Sequence, residues 1–243
     1  MIQKLRLSRG TFEFRYLSIG AAIGIASLPV QLEQAGITAL LDEIVSEMPA
    51  GLTAGALTVQ ERTALVVHYM SSTCGTPDFP IDGGDGNSQL KISDYLVYSQ
   101  DYPCDSVSAG ELGGDQWRVR QLTGDMAEAI ERMDGVSRSG YMHWMFGCMA
   151  AQMYTESDTS IPDDIDPWLM TRIKMLESLS EADFFRLQVM WLQGREQLMH
   201  LFRLALHCKG SLVVLGGAGN MPARFLADSI VSSSTKKLVS VDA

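Results

Sequence analysis

In residues 1–17 apolar and polar side chains alternate on either side of Arg9 and Gly10. Leu5 and Leu7 share one face, and Phe12, Phe14 and Tyr16 supply the matching one. A period of two predicts a β-hairpin over 1–17. Then the period changes. Ser18 precedes an apolar run that ends near Leu28, where Pro29 disfavours helical geometry in its predecessor, so a short capped helix is predicted. Leu32, Leu40, Leu41, Ile44, Val45 and Met48 recur at helical spacing and predict a second helix. Thr58 and Glu61 have the spacing of a capping box, in which hydroxyl and carboxylate each accept from the other residue's backbone nitrogen. The helix behind them carries Leu65, Val66, Tyr69 and Met70. Residues 18–72 therefore read as helical.

Between 71 and 115 the periodicity fades and glycine, aspartate, serine and proline dominate. Residues 73–122 read as a long polar loop with short strands, among them one carrying Trp117, Val119 and Leu122. Loops of such length are often contact surfaces. Helical spacing returns at Thr123 or Asp125, with Met126, Ile130 and Met133, and residues 123–209 are predicted to form a helical core. It includes the almost wholly apolar "GYMHWMFGCMAAQMY", a helix over 168–179, and the longest helix, capped by Ser180 and running over 181–207. Phe184, Phe185, Leu187, Val189, Met190, Leu192, Leu198, Leu201, Phe202 and Leu204 cover much of its circumference, which predicts packing on two sides. Gly210 ends it after Lys209. Residues 210–243 read as a strand, a glycine turn and a C-terminal segment. The fold class expected is α+β, predominantly helical, as a single domain over 1–243, with a small N-terminal β-hairpin and short C-terminal strands.

Composition supports a packed interior: 46% of the 243 residues are hydrophobic and 20% charged. The net charge of −10 argues against a nucleic-acid partner. Lys4, Arg6, Arg9 and Arg15 are a local exception, read as a solvated rim. Cys74, Cys104, Cys148 and Cys208 are too widely spaced for a zinc knuckle or a CxxC pair, and read as reduced, packed thiols. The stretch 17–30, "LSIGAAIGIASLPV", is too short to span a bilayer as a helix. The hairpin before it is unlike a signal-peptide n-region, so an intracellular protein is expected.

The segment "SLVVLGGAGNMPARFLADSI" raises the question of a nucleotide cradle. A β-branched run leads to Gly216, Gly217 and Gly219, and Asp242 follows a possible strand at 238–241. A dinucleotide fingerprint needs a third glycine where this chain has Pro222, and an alternation of strands and helices upstream that the pattern lacks. The turn in residues 216–219 is therefore read as a tight exit from a strand. His68, His143, His200 and His207 fall in runs read as apolar helices. His200 and His207 are spaced to share one helical face, but no carboxylate or cysteine partner can be placed beside any of the four. Met142, Met145, Met149 and Met153 read as adaptable core filling rather than soft metal ligands. Asp82, Asp85 and Asn87 lack the order and distal glutamate of a calcium loop, and read as a surface turn. The chain has no nucleophile elbow, Walker loop or zinc-protease helix. No catalytic residue, cofactor or metal is assigned.

Three stretches, "LTVQERTALVVHYMSS" with "DF" and "SDYL", "GELGGDQWRVRQLTGDMAEAIERM", and "HWMFGCMAAQM", resemble segments of proteins from the tail-morphogenesis clusters of tailed bacteriophages. The resemblance spans about residues 50–230 and carries no chemical residue. It implies a non-enzymatic structural subunit of a tail tip or baseplate, with other tail or baseplate proteins or copies of itself as partners. An assembly chaperone absent from the mature particle is the second expectation. A nucleotide-binding enzyme using the glycine turn is the third.

Overall fold

The computed structural model describes residues 2–29, 31–73, 78, 80–82, 89–96, 105–133, 140–158, 160–207, 210–216, 221–227 and 230. The N-terminal hairpin forms from β1 (Leu5–Leu7) and β2 (Gly10–Phe14), with Leu5 opposite Phe12. Next comes α1 (Ile19–Ala26), where the Ser18 hydroxyl accepts from Ala21 N at 3.1 Å. The second helix, α2 (Glu33–Ile44), stops short of the expected Met48. Val45 leaves it to enter β3 (Val45–Glu47), pairing with Phe14 on β2. A β-branched residue suits that extended position. Helix α3 (Val59–Thr73) begins with the expected capping box. Thr58 N donates to Glu61 Oε2 at 2.9 Å, and Glu61 N to Thr58 Oγ1 at 3.1 Å.

The segment read as a polar loop contains regular structure. β4 (Pro80–Asp82) and β5 (Gln89–Lys91) form a two-stranded ladder, followed by a 3-10 turn at Ile92–Tyr95. β6 (Ser106–Leu112) and β7 (Asp115–Arg120) make a hairpin whose turn uses Gly113 and Gly114 at φ 67° and 86°, the left-handed region that a tight hairpin needs. Thr123 caps α4 (Gly124–Arg132). Helix α5 (Gly140–Gln152) runs directly into β8 (Met153–Thr155), which pairs with β7. α6 (Ile165–Glu177) and α7 (Glu181–Leu198) follow, the latter capped by Ser180 Oγ, which accepts from Asp183 N at 3.1 Å. The chain continues through β9 (Arg203–Leu206), β10 (Leu212–Gly216) and β11 (Met221–Ala223), an antiparallel sheet with β10 in the centre.

These elements correct the expected fold class. The protein is a mixed α+β fold with three separate three-stranded sheets distributed along the chain. It is not a helical body with a small hairpin at one end and short strands at the other. Three over-long helix readings contribute to the difference, since α2, α5 and α7 each end early and the chain goes on into β3, β8 and β9. The expected helix over 181–207 ends at Leu198, and Arg203–Leu206 becomes a strand paired with β10. Leu204 and Leu206 lie two apart in an apolar run, where helical and strand periods are hard to tell apart. Gly210 therefore turns one strand into the next, at φ 83°, rather than ending a helix. Helix α7 also packs on one side only. It buries Leu187, Trp191, Gly194 and Leu198, while Phe185, Val189 and Leu192 are 55%, 51% and 49% exposed.

Buried apolar side chains form two clusters. The first gathers Phe12, Leu40, Ile44, Leu65 and Phe202 from the N-terminal sheet, α2, α3 and the segment after α7. The second gathers Met126, Ile130, Met149, Leu169 and Trp191 from α4, α5, α6 and α7. Leu204 packs against both. Polar side chains also reach across. Gln60 Oε1 accepts from His200 N, Leu201 N and Phe202 N at 3.0, 3.2 and 3.4 Å, and Gln60 Nε2 donates to Leu198 O at 3.0 Å. A fully buried Arg62 ties α3 to α2 and α4: Nη2 donates to Gln34 O at 2.6 Å and Thr38 Oγ1 at 2.7 Å, with Glu128 at 3.6 Å from Nη1. Glu131 accepts from Gln34 N at 2.7 Å and Ala35 N at 3.2 Å, closing the first turn of α2 from another helix. Burial raises its carboxyl to about 7, against the opposing pull of those two amides and Arg62. Among the described residues, no helix is long and apolar enough to cross a membrane.

Candidate functional site

A cleft of about 550 Å³ opens where four parts of the chain meet. Arg9 enters from the β1–β2 turn. Thr58 and Thr123 stand at the starts of α3 and α4, joined by an isolated antiparallel bridge. Ser106 and Arg120 face each other across the β6–β7 ladder, and Tyr154 comes from β8. Asp105, Gln121, Ala56 and Ile161 complete the walls. Hairpin turns and helix caps are local structures that the sequence specifies well, so the side chains they carry are held in place from below.

The two arginines differ in their partners. Arg9 Nη1 lies 3.2 Å from Glu61 Oε2, a fully buried carboxylate, and 3.1 Å from Ala56 O. Arg120 is 8% exposed and no carboxylate among the described residues pairs with it. Its Cζ stacks 3.9 Å from the centre of the Tyr154 ring, Nη2 reaches Asp158 O at 3.4 Å, and buried Nε has no hydrogen-bond partner. Burial lowers its pKa. Neighbouring Arg172 is brought down to about 10, first by burial and then by the charge of Arg120. The Tyr154 hydroxyl accepts from Arg118 Nε at 3.2 Å and donates to Ser106 Oγ at 2.8 Å, which fixes the ring under Arg120.

Apart from Arg9 and the two cap threonines, the residues singled out in the sequence lie elsewhere. His68 Nε2 is 2.7 Å from Gln3 O and its ring packs on Phe14. His143 Nε2 is 2.6 Å from Ile130 O. His200 and His207 do not share a helical face, because both follow the end of α7: His200 Nδ1 sits 3.1 Å from Leu198 O, and His207 N donates to Ser211 O at 2.9 Å beside the β9–β10 turn. Three of the four N-terminal basic residues have acidic partners, Lys4 with Glu13, Arg9 with Glu61 and Arg15 with Glu43. Arg6 is exposed. Met145, Met149 and Met153 are buried in the second cluster, while Met142 is 37% exposed. Cys148 is buried, and that burial pushes its thiol up to about 12. Cys74, Cys104 and Cys208 lie outside the described residues, as do Asp85 and Asn87 of the acidic turn. Asp82 is in β4. Among the described residues, no group of three or more His, Cys, Asp or Glu could hold a metal ion.

In the glycine segment one strand is followed by another. Gly216 ends β10, and Met221–Ala223 returns antiparallel beside it, with Pro222 opposite Leu215. Pro222 stands in a strand. Gly216 itself is set by packing: a Cβ there would lie 2.6 Å from both Asp94 O and Tyr95 Cα. Residues 217–220, the possible strand at 238–241 and Asp242 lie outside the described residues.

The sequence places Thr58 at one helix start and either Thr123 or Asp125 at another, but it does not bring the two starts together or single out Arg120 and Tyr154. One signal was available. Arg118 and Arg120 alternate with Trp117 and Val119 in "WRVR", so two cations share one face of a strand whose other face is apolar. Comparison with known protein families, with curated proteins and with solved structures finds no match to this chain.

Proposed function

We propose that this chain is a non-enzymatic structural subunit of a bacteriophage tail tip or baseplate, made in the host cytoplasm and acting through protein–protein interfaces. The observation that carries this reading is the outer stripe of α7. Phe185, Val189 and Leu192 succeed one another at intervals of four and three residues and are about half exposed, on a helix whose opposite side is locked to the β6–β7 hairpin. Ile19 and Ile23 on α1, 58% and 63% exposed, form a second apolar pair. Contiguous apolar side chains on ordered helices are the material of subunit contacts. The three resembling segments support a neighbouring tail or baseplate subunit, or another copy of the chain, as the partner.

Quantitative mass spectrometry of gradient-purified phage particles, set against the infected-cell lysate, tests the proposal. A fixed, small copy number per particle is expected. The double substitution Val189→Glu and Leu192→Glu should leave the protein folded in the lysate and remove it from particles. Absence of the wild-type chain from particles would overturn the structural role in favour of a transient assembly chaperone. Unchanged incorporation of the double variant would show that α7 is not the contact.

A further inference from the structure

We propose that the cleft between Arg9 and Arg120 is a binding site for a single oxyanion, a carboxylate or phosphate group, held by Arg120 and by the hydroxyls of Thr58 and Thr123. The site is independent of the α7 stripe and does not rest on the tail-subunit reading.

A surplus of donors over acceptors supports it. Each cap threonine spends an oxygen lone pair on a backbone nitrogen, Thr58 from Glu61 N at 3.1 Å and Thr123 from Met126 N at 3.4 Å. Neither hydroxyl donates to another group among the described residues, so both O–H protons remain available at the cleft wall. Gln121 is turned to Gln60 and Leu198: its Nε2 donates to Leu198 O and its Oε1 accepts from Gln60 Nε2 at 3.4 Å. Arg120 adds a guanidinium that is more than nine-tenths buried and unpaired with any carboxylate among the described residues. Buried cations are ordinarily paired, and an arginine fork suits the geometry of carboxylates and phosphates. Arg9 on the opposite wall neutralises the buried carboxylate of Glu61.

The negative charges nearby do not cancel this arrangement. Glu61 is engaged by Arg9 and by Thr58 N. Asp105 lines the same cleft but is exposed, where water screens it. Asp158 directs its carboxylate to Arg172 and offers Arg120 only a backbone oxygen. The volume of about 550 Å³ leaves room for the molecule that bears the anion.

The test is a titration of the full chain, followed by amide and arginine-Nε NMR signals, with inorganic phosphate and separately with succinate, at ionic strength held constant with chloride. Saturable shifts centred on Thr58, Thr123 and Arg120 are expected with at least one probe. A tighter response to phosphate assigns a tetrahedral ligand group, and a tighter response to succinate a carboxylate. Arg120→Gln should weaken binding about tenfold or more. Since Arg120 is buried, Arg9→Gln serves as a second variant and should weaken binding about threefold by leaving the Glu61 carboxylate uncompensated beside the cleft. Non-saturating shifts with both probes would overturn the proposal. So would affinity unchanged in a folded Arg120→Gln protein, or, if that variant does not fold, unchanged in Arg9→Gln.

Discussion

The Oε1 of Gln60 lies 3.0 Å from the backbone nitrogen of His200 and takes that donor together with the next two along the chain. One buried amide on α3 thereby satisfies the nitrogens that the polypeptide presents as it leaves α7. Removing it strands three donors, two of them on buried residues. Gln60→Ala is expected to cost about 3 kcal/mol in urea denaturation. A loss below roughly 0.5 kcal/mol, within the range of neutral surface changes, would mean that water replaces the side chain.

Glu131 makes stability depend on pH. Its carboxyl is raised to about 7 by burial, against an ordinary value of 4.5. Between those values the folded protein holds a proton that the unfolded chain has released. Its contribution is fully present below the ordinary value and fades as pH rises through about 7. The stability of the wild type relative to Glu131→Gln should therefore fall by about 2 kcal/mol from pH 5 to pH 8. Arg62 and Glu128, which face the same carboxylate, remain in both proteins. Denaturant midpoints that move in parallel across this range would contradict the assignment.

Gly216 permits β10 to pass against the 3-10 turn at Ile92–Tyr95. A Cβ would press on the backbone of Asp94 and Tyr95, which has little freedom to retreat. Gly216→Ala should lower stability by about 2 kcal/mol, measured by thermal or chemical denaturation. An alanine variant as stable as wild type would show that the two segments stand further apart than described.

Cys148 should be inert in the folded protein. With its thiol pushed up to about 12, roughly one molecule in ten thousand carries the thiolate at pH 8, and the sulfur is fully enclosed. Iodoacetamide followed by peptide mass mapping should leave Cys148 unmodified under native conditions and label it in denaturant. Native labelling at a rate near that of a free thiol would refute the enclosure.

The parts of this fold legible in the sequence were those decided within a few residues. Ser18, Thr58, Thr123 and Ser180 each cap a helix as their local pattern indicates, because a cap needs only a side-chain oxygen and the next turn of backbone. Helix ends were less legible, since distant partners decide them. Val45 leaves α2 to pair with Phe14, and the chain leaves α7 where Gln60 captures its amides. The cleft was hidden for the same reason: nothing near Thr58 in sequence announces Thr123, and nothing near Arg120 announces Tyr154.

The two apolar clusters differ in one respect that can be seen from outside the molecule. Trp117, Trp144 and Trp191 belong to the second cluster and Trp168 packs against it, which accounts for all four tryptophans. The first cluster holds Tyr69 and Tyr95. Tryptophan emission thus reports on one half of the interior. Leu204 and Gln60 join the halves, so this emission should change at the same denaturant concentration as the backbone circular dichroism of the whole chain, and the protein carries its own internal gauge of whether it comes apart as one piece.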